Sequence, residues 1–248
     1  MFRFPFFAAA MLIPSLLASQ PAVAAGYRIL ASDRPPYAME EGSAEPGFCV
    51  EVAQELGKRS GIKVTVEFMP WARAQEHARQ AVDALLPCIN KTKSREDHYS
   101  WIAGLNEVSN AFFTMSKPVN SMDEAKGAES VTVILGSEQE KDLGKAGLKN
   151  IEAQDDPEVS AKMLEAGRVD VWYVHDLRAL YIWRTLGFDS SKLVMGKKFS
   201  PTIQYLAGHK DIPAEDLKKF AEAYESMAKD GSYDKLYAKY FGAIKPAS

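Results

Sequence analysis

Histidine and cysteine are scarce: four and two in 248 residues. His77, His98, His175 and His209 lie far apart and have no metal-ligand spacing, so no metal centre and no other cofactor is expected. The motifs that carry common chemistry are missing too. There is no G-x-S-x-G, no P-loop, no G-x-G-x-x-G and no H-E-x-x-H. The adjacent carboxylates Asp155-Asp156 and Glu40-Glu41 fall in predicted turns, where solvation and capping account for them. Neither sign of charge dominates: 30 basic against 33 acidic side chains give a formal net charge of −3. No basic stripe points to nucleic acid.

Long apolar runs are also few. One spans Phe4 to Leu17 behind Met1 and Arg3, and leads to Ala22-Val23-Ala24. It is short of the roughly 20 residues that a membrane span needs and is broken by Pro14. This is the pattern of a secretory signal peptide over residues 1–25, cleaved after Ala24 or Ala25, which predicts a periplasmic protein. In an oxidising compartment Cys49 and Cys88 are either a disulfide or two buried thiols. The sequence leaves that open, because it does not show whether their Cα atoms come within about 7 Å.

What is present is an alternation of short β-rich runs and amphipathic segments. Tyr27–Ala31 reads as a strand, and the turn Asp33-Arg34-Pro35-Pro36-Tyr37 leads to a helix from Phe48 to Arg59 that Gly61 stops. A strand over Ile62–Phe68, a helix over Trp71–Gln80 and a buried strand at Ala84-Leu85-Leu86 follow, implying a parallel sheet. A strand is predicted over Asn110–Met115. The plan restarts at Val131–Leu135, with Ser137 and Glu140 as a capping box. A helix from Pro157, a strand over Val169–Val174 and a helix over Asp176–Leu186 come next. A strand over Gln204–Ala207 and two closing helices, split by Gly231, end the chain. The expected fold class is α/β in two lobes, with crossings near Ser116–Asn120 and Phe199–Gln204. Lobe 1 would comprise 26–116 and 204–248, and lobe 2 would comprise 117–203.

Several segments recur together in a known order: Arg34-Pro35-Pro36-Tyr37, Gly47-Phe48, Asp83, Thr92-Lys93-Ser94-Arg95, Gly136-Ser137, Ala166-Gly167-Arg168-Val169-Asp170 and Asp230-Gly231-Ser232-Tyr233-Asp234-Lys235-Leu236. No single motif is specific, but through their order the mature chain resembles the family 3 extracellular solute-binding proteins. These are periplasmic receptors of polar amino-acid ABC importers. The resemblance implies a type II periplasmic-binding-protein fold whose lobes close on a small carboxylate-bearing ligand. It also implies a monomer that docks on a membrane ABC permease.

By the same resemblance Arg95 holds the ligand carboxylate, a task its bidentate fork suits, helped by the helix start at Gly136, Ser137 and Glu138. Asp33 and Tyr37 sit where the family lines the first lobe's side of the cleft, Asn90 stands where the family often has a serine or threonine and can still donate and accept, and Trp71 is a further aromatic candidate. The family's ammonium-binding acid falls at His175 here, which puts ordinary α-amino-acid binding in doubt. Asp176 either takes that role by a one-residue shift or caps the following helix. Two other readings stay open: a dehydratase-like enzyme of the same fold, using Glu138 or His175, and a receptor for a membrane sensor.

Overall fold

The computed structural model describes residues 26–40 and 45–242. The expected signal peptide, and the part of the lobe 1 range from 243 to 248, lie outside the described residues. One mixed sheet runs through the molecule. Its strands are β1 (Tyr27–Ala31), β2 (Val64–Phe68), β3 (Ala84–Asn90), β4 (Tyr99–Thr114), β5 (Val131–Ile134), β6 (Ile151–Gln154), β7 (Val171–His175), β8 (Val194–Met195) and β9 (Phe199–His209). The order across it is β2-β1-β3-β9-β4-β7-β5-β6, with β8 beside β4. The trios β2-β1-β3 and β6-β5-β7 are each parallel, while the two strands between them run antiparallel.

The helices are α1 (Phe48–Ser60), α2 (Trp71–Gln80), α3 (Met122–Lys126), α4 (Glu138–Lys145), α5 (Pro157–Glu165), α6 (Asp176–Thr185), α7 (Ala214–Lys229) and α8 (Ser232–Phe241). They cover the faces of both trios, which is why the strands of each read as apolar runs. Leu56, Val52, Leu85, Leu206, Phe220 and Phe241 share one core. Phe113, Leu164, Trp172, Ile182 and Trp183 share another. The result is an α/β molecule in two lobes, the type II periplasmic-binding-protein fold.

The chain crosses between the cores inside β4. Val108 packs in the first core and Ala111 in the second. This corrects the expectation of a crossing at Ser116–Asn120, because Ala111, Phe112 and Phe113 already belong to the second lobe's packing. The return path runs through β9, which begins at Phe199 and so extends well beyond the predicted Gln204–Ala207. The β4–β9 ladder shifts register between Val108 and Asn110, opposite Ser200-Pro201. Ser200 has φ 47°, and proline lacks the N–H that a regular ladder requires at that point. The break in pairing therefore falls where the two lobes meet.

Candidate functional site

Three segments of the first lobe are fastened to one another around the open end of β3. The turn Arg34–Ala38 closes through Arg34 N–H to Ala38 O (2.8 Å) and Tyr37 N–H to Arg34 O (2.9 Å). Its carbonyls then satisfy the first N–H groups of α1: Phe48 donates to Pro36 O and Cys49 to Tyr37 O, both at 2.9 Å. These donors have no partner within the helix, so the turn serves as its cap. Gly47 makes the approach possible. Its φ is 99°, and a Cβ there would stand 2.6 Å from Ala38 Cα.

Cys49 and Cys88 are joined in a disulfide with Cα atoms 5.8 Å apart, which answers the alternative left open by the sequence. Cys88 has φ 52° and sits in a bulge of β3 between Leu86 and Ile89. Beyond the bulge Asn90 ends the strand, and its carbonyl accepts from Arg95 Nη1 at 3.3 Å. The motif arginine is thus anchored to the same strand end.

The second lobe brings its own groups to this place. Asn110 of β4 is paired with His175 at the end of β7, and α6 starts at the next residue. Arg178, one turn into α6, reaches across to the first lobe. Its Nε donates to Pro35 O at 3.0 Å, and its guanidinium lies 5.5 Å from the Tyr37 ring centre. The Arg34 guanidinium lies 4.7 Å from the Trp71 ring centre. Arg34, Arg95, Arg178, Tyr37 and His175 therefore lie close to one another where the lobes meet.

The electrostatics are lopsided. Burial, with the Arg178 and Arg95 charges nearby, lowers the Arg34 guanidinium to about 10. Arg178 is lowered by burial as well. Burial and the two arginines hold His175 at about 3, so it is neutral at physiological pH. Burial raises the Tyr37 phenol, and its hydroxyl is a buried donor with no partner. The Asn90 side-chain oxygen is likewise buried and unpartnered.

Not every expected residue joins this group. Asp176 does not: one carboxylate oxygen accepts from Ser109 N–H (3.1 Å) and Leu177 N–H (2.8 Å), and the other meets Lys198 Nζ at 2.8 Å. It lines a separate cavity of about 420 Å³ with Asn106, Lys198 and Tyr237. Asp33 is exposed and accepts from Glu40 N–H at 3.2 Å. At the start of α4, Ser137 accepts from Glu140 N–H at 3.1 Å, and Glu140 in turn takes the Gly136 N–H. The capping box thus consumes a backbone donor that the sequence reading assigned to a ligand. Glu138 pairs with Lys141 at 2.7 Å, which holds its carboxyl below the usual range.

Arg34 and Arg178 are functional candidates that the sequence reading missed. Arg34 figured there only as part of a recurring tetrapeptide. Arg178 looks like any cation on a helix surface, and its proximity to Pro35 comes from tertiary packing alone.

The sequence of this chain matches a family model. The model of the bacterial extracellular solute-binding proteins, family 3, covers residues 28–243. The chain belongs to that family. It is 28% identical over 200 residues to the L-cystine-binding protein TcyA of Bacillus subtilis (strain 168), covering 79% of this chain and 72% of that one. It is 25% identical over 221 residues to the L-cystine-binding protein TcyJ of Escherichia coli (strain K12), covering 84% and 79%. Among solved structures, an ancestral arginine-binding protein bound to arginine superposes with a TM-score of 0.68 at 24% identity, covering 88% of this chain and 99% of that one. That last likeness carries the fold. Family membership makes this chain an extracellular solute-binding protein. Among the described residues no helix is long and apolar enough to cross a membrane.

Proposed function

We propose that the chain is a periplasmic receptor that traps a small carboxylate-bearing ligand between its lobes and delivers it to a membrane ABC permease. Lobe 1 would comprise residues 26–108 and 204–242 and lobe 2 the residues between, with β4 and β9 as the hinge. The observation that carries this reading is the half-buried Arg95 fork, free of any carboxylate within 4 Å among the described residues and fixed to the end of β3. A guanidinium so placed binds a carboxylate bidentately. Tyr37, Trp71 and Asn90 complete the first lobe's side, while His175 and Arg178 come from the second lobe.

Turnover is disfavoured by the state of the acids. Glu138 is engaged by Lys141, Asp176 by Lys198, and His175, lowered to about 3, is a weak base. A dehydratase needs a free group to move a proton at the leaving oxygen. The test is a thermal-shift screen of the mature protein against amino acids and small carboxylates, with product analysis of each hit. A saturable rise in Tm, absent in Arg95→Ala, supports the receptor. Consumption of the hit would make the protein an enzyme. Ligand binding that survives Arg95→Ala would refute the anchor.

A further inference from the structure

We infer that the cleft takes a small dicarboxylate without an α-amino group, its second carboxylate held jointly by Arg34 and Arg178. This rests on the reading of the Arg95 cleft as the ligand site and names the class of solute that the site selects.

The first support is the pattern of arginine pairing. Elsewhere the paired arginines sit against acids: Arg28 on Asp83 and Glu67, Arg59 on Glu55 and Asp230, Arg79 on Glu76. Arg73, Arg168 and Arg184 have no carboxylate within 4 Å among the described residues but are exposed to solvent. Arg34, Arg95 and Arg178 are both partly buried and without such a partner among the described residues. Three partly buried cations converge, and no carboxylate among the described residues lies within 4 Å of them. Buried charges are ordinarily paired. A ligand that brings negative charge supplies the missing partner.

The second support is the fate of each acid that could receive an ammonium group. Asp176 spends its oxygens on two backbone N–H groups and Lys198. Asp33 is exposed and turned to Glu40 N–H. Glu138 is exposed and paired with Lys141. His175 stands beside the arginines and carries no charge to offer. An ammonium group in this cleft would face guanidinium groups with no free carboxylate among the described residues, which penalises it against an unsubstituted carbon.

The third support is the placement of donors. Arg34 belongs to the first lobe's turn and Arg178 to α6 of the second. Pro35 O accepts from Arg178 Nε, so the guanidinium is held beside the Tyr37 ring with its terminal nitrogens not taken up by any carboxylate among the described residues. Tyr37 contributes a buried hydroxyl that lacks a partner. One carboxylate on Arg95 and a second bridging Arg34, Arg178 and the Tyr37 hydroxyl would give each of these four groups an acceptor.

Isothermal titration of the mature protein with two matched pairs tests this: succinate against L-aspartate, and glutarate against L-glutamate. Within each pair the compounds differ only by the α-ammonium. L-cystine, L-arginine and L-glutamine complete the panel. The expected result is that at least one dicarboxylate binds with a Kd at least tenfold below that of its amino counterpart. Arg178→Gln should then raise that Kd by thirtyfold or more, with far-UV circular dichroism unchanged. Tighter binding of the amino acid in both pairs would overturn the inference. So would binding of cystine, arginine or glutamine ahead of both dicarboxylates; if that binding depended on Arg95, the receptor reading would survive alone. Silence across all seven compounds would remove both.

Discussion

Replacing Arg34 by methionine should make the free protein more stable and the liganded protein no better than the free one. In the wild type the guanidinium is lowered from 12.5 to about 10, which at about 1.4 kcal/mol per tenfold corresponds to roughly 3 kcal/mol of strain on the charged form. That strain is fully present at neutral pH, since the group stays charged until the pH nears 10. Methionine keeps apolar cover over Trp71 but loses the cation–π contact at 4.7 Å, worth about 1 kcal/mol. The balance is a gain of about 2 kcal/mol. For a protein of this size about 2–4 °C accompanies each kcal/mol, so calorimetry at pH 7 without ligand should record a Tm higher by about 4–8 °C. A ligand at one hundred times its Kd should add about 2.7 kcal/mol to the wild type and little to the variant. A Tm that falls in the free variant would refute the idea that this charge is uncompensated.

Two further outcomes follow from groups around the cleft. The disulfide closes a loop of 39 residues, so Cys49→Ala with Cys88→Ala should lower stability by about 4 kcal/mol on the chain-entropy estimate; urea unfolding, with an m-value that rises as the unfolded chain expands, checks it, and a loss under 1 kcal/mol would contradict it. His175 is held at about 3 against 6.5 in the unfolded chain. Between these values the unfolded state binds the extra proton, so stability falls as pH drops from 6.5 toward 3. His175→Asn should remove about 2–3 kcal/mol of the loss between pH 7 and pH 4; identical urea midpoints for variant and wild type across that range would show that the imidazole charges freely in the folded protein.

The sequence made the local pieces legible where chemistry is short-range. Gly47-Phe48 announces a helix start because only glycine accepts φ 99° against the Ala38 backbone, and Ser137 with Glu140 forms the box its spacing implies. The resemblance put Arg95 in the cleft, and the structure fixes its guanidinium to Asn90 O. It was less informative where partners are distant. β4 was foreseen only over its last third, since Gly104, Asn106, Glu107 and Ser109 break the apolar pattern. Asn106 and Ser109 are nevertheless buried, Asn106 Nδ2 donating to Gln204 Oε1 at 3.0 Å, while Glu107 stays exposed. The choice between His175 and Asp176 was equally closed to sequence. Asp176 is diverted by Ser109 and Lys198, neither of which is its neighbour in the chain.

The unpaired arginines also bear on how closure would be governed. Arg34 and Arg178 belong to different lobes, so without a ligand their mutual repulsion opposes the approach that Arg178 and Pro35 O favour. A dianion between them reverses the sign of that interlobe term, whereas a ligand held by Arg95 alone leaves it in place. A ligand shifts a conformational equilibrium only through its difference in affinity for the two states. On this reasoning the second carboxylate is what commits the lobes to closing, and a monocarboxylate such as propionate should occupy the Arg95 end without closing them. Small-angle scattering can measure this: propionate at saturation should leave the radius of gyration at its free value, while the dicarboxylate that binds best should reduce it. Equal contraction by both would place the closing force on Arg95 and the first lobe instead.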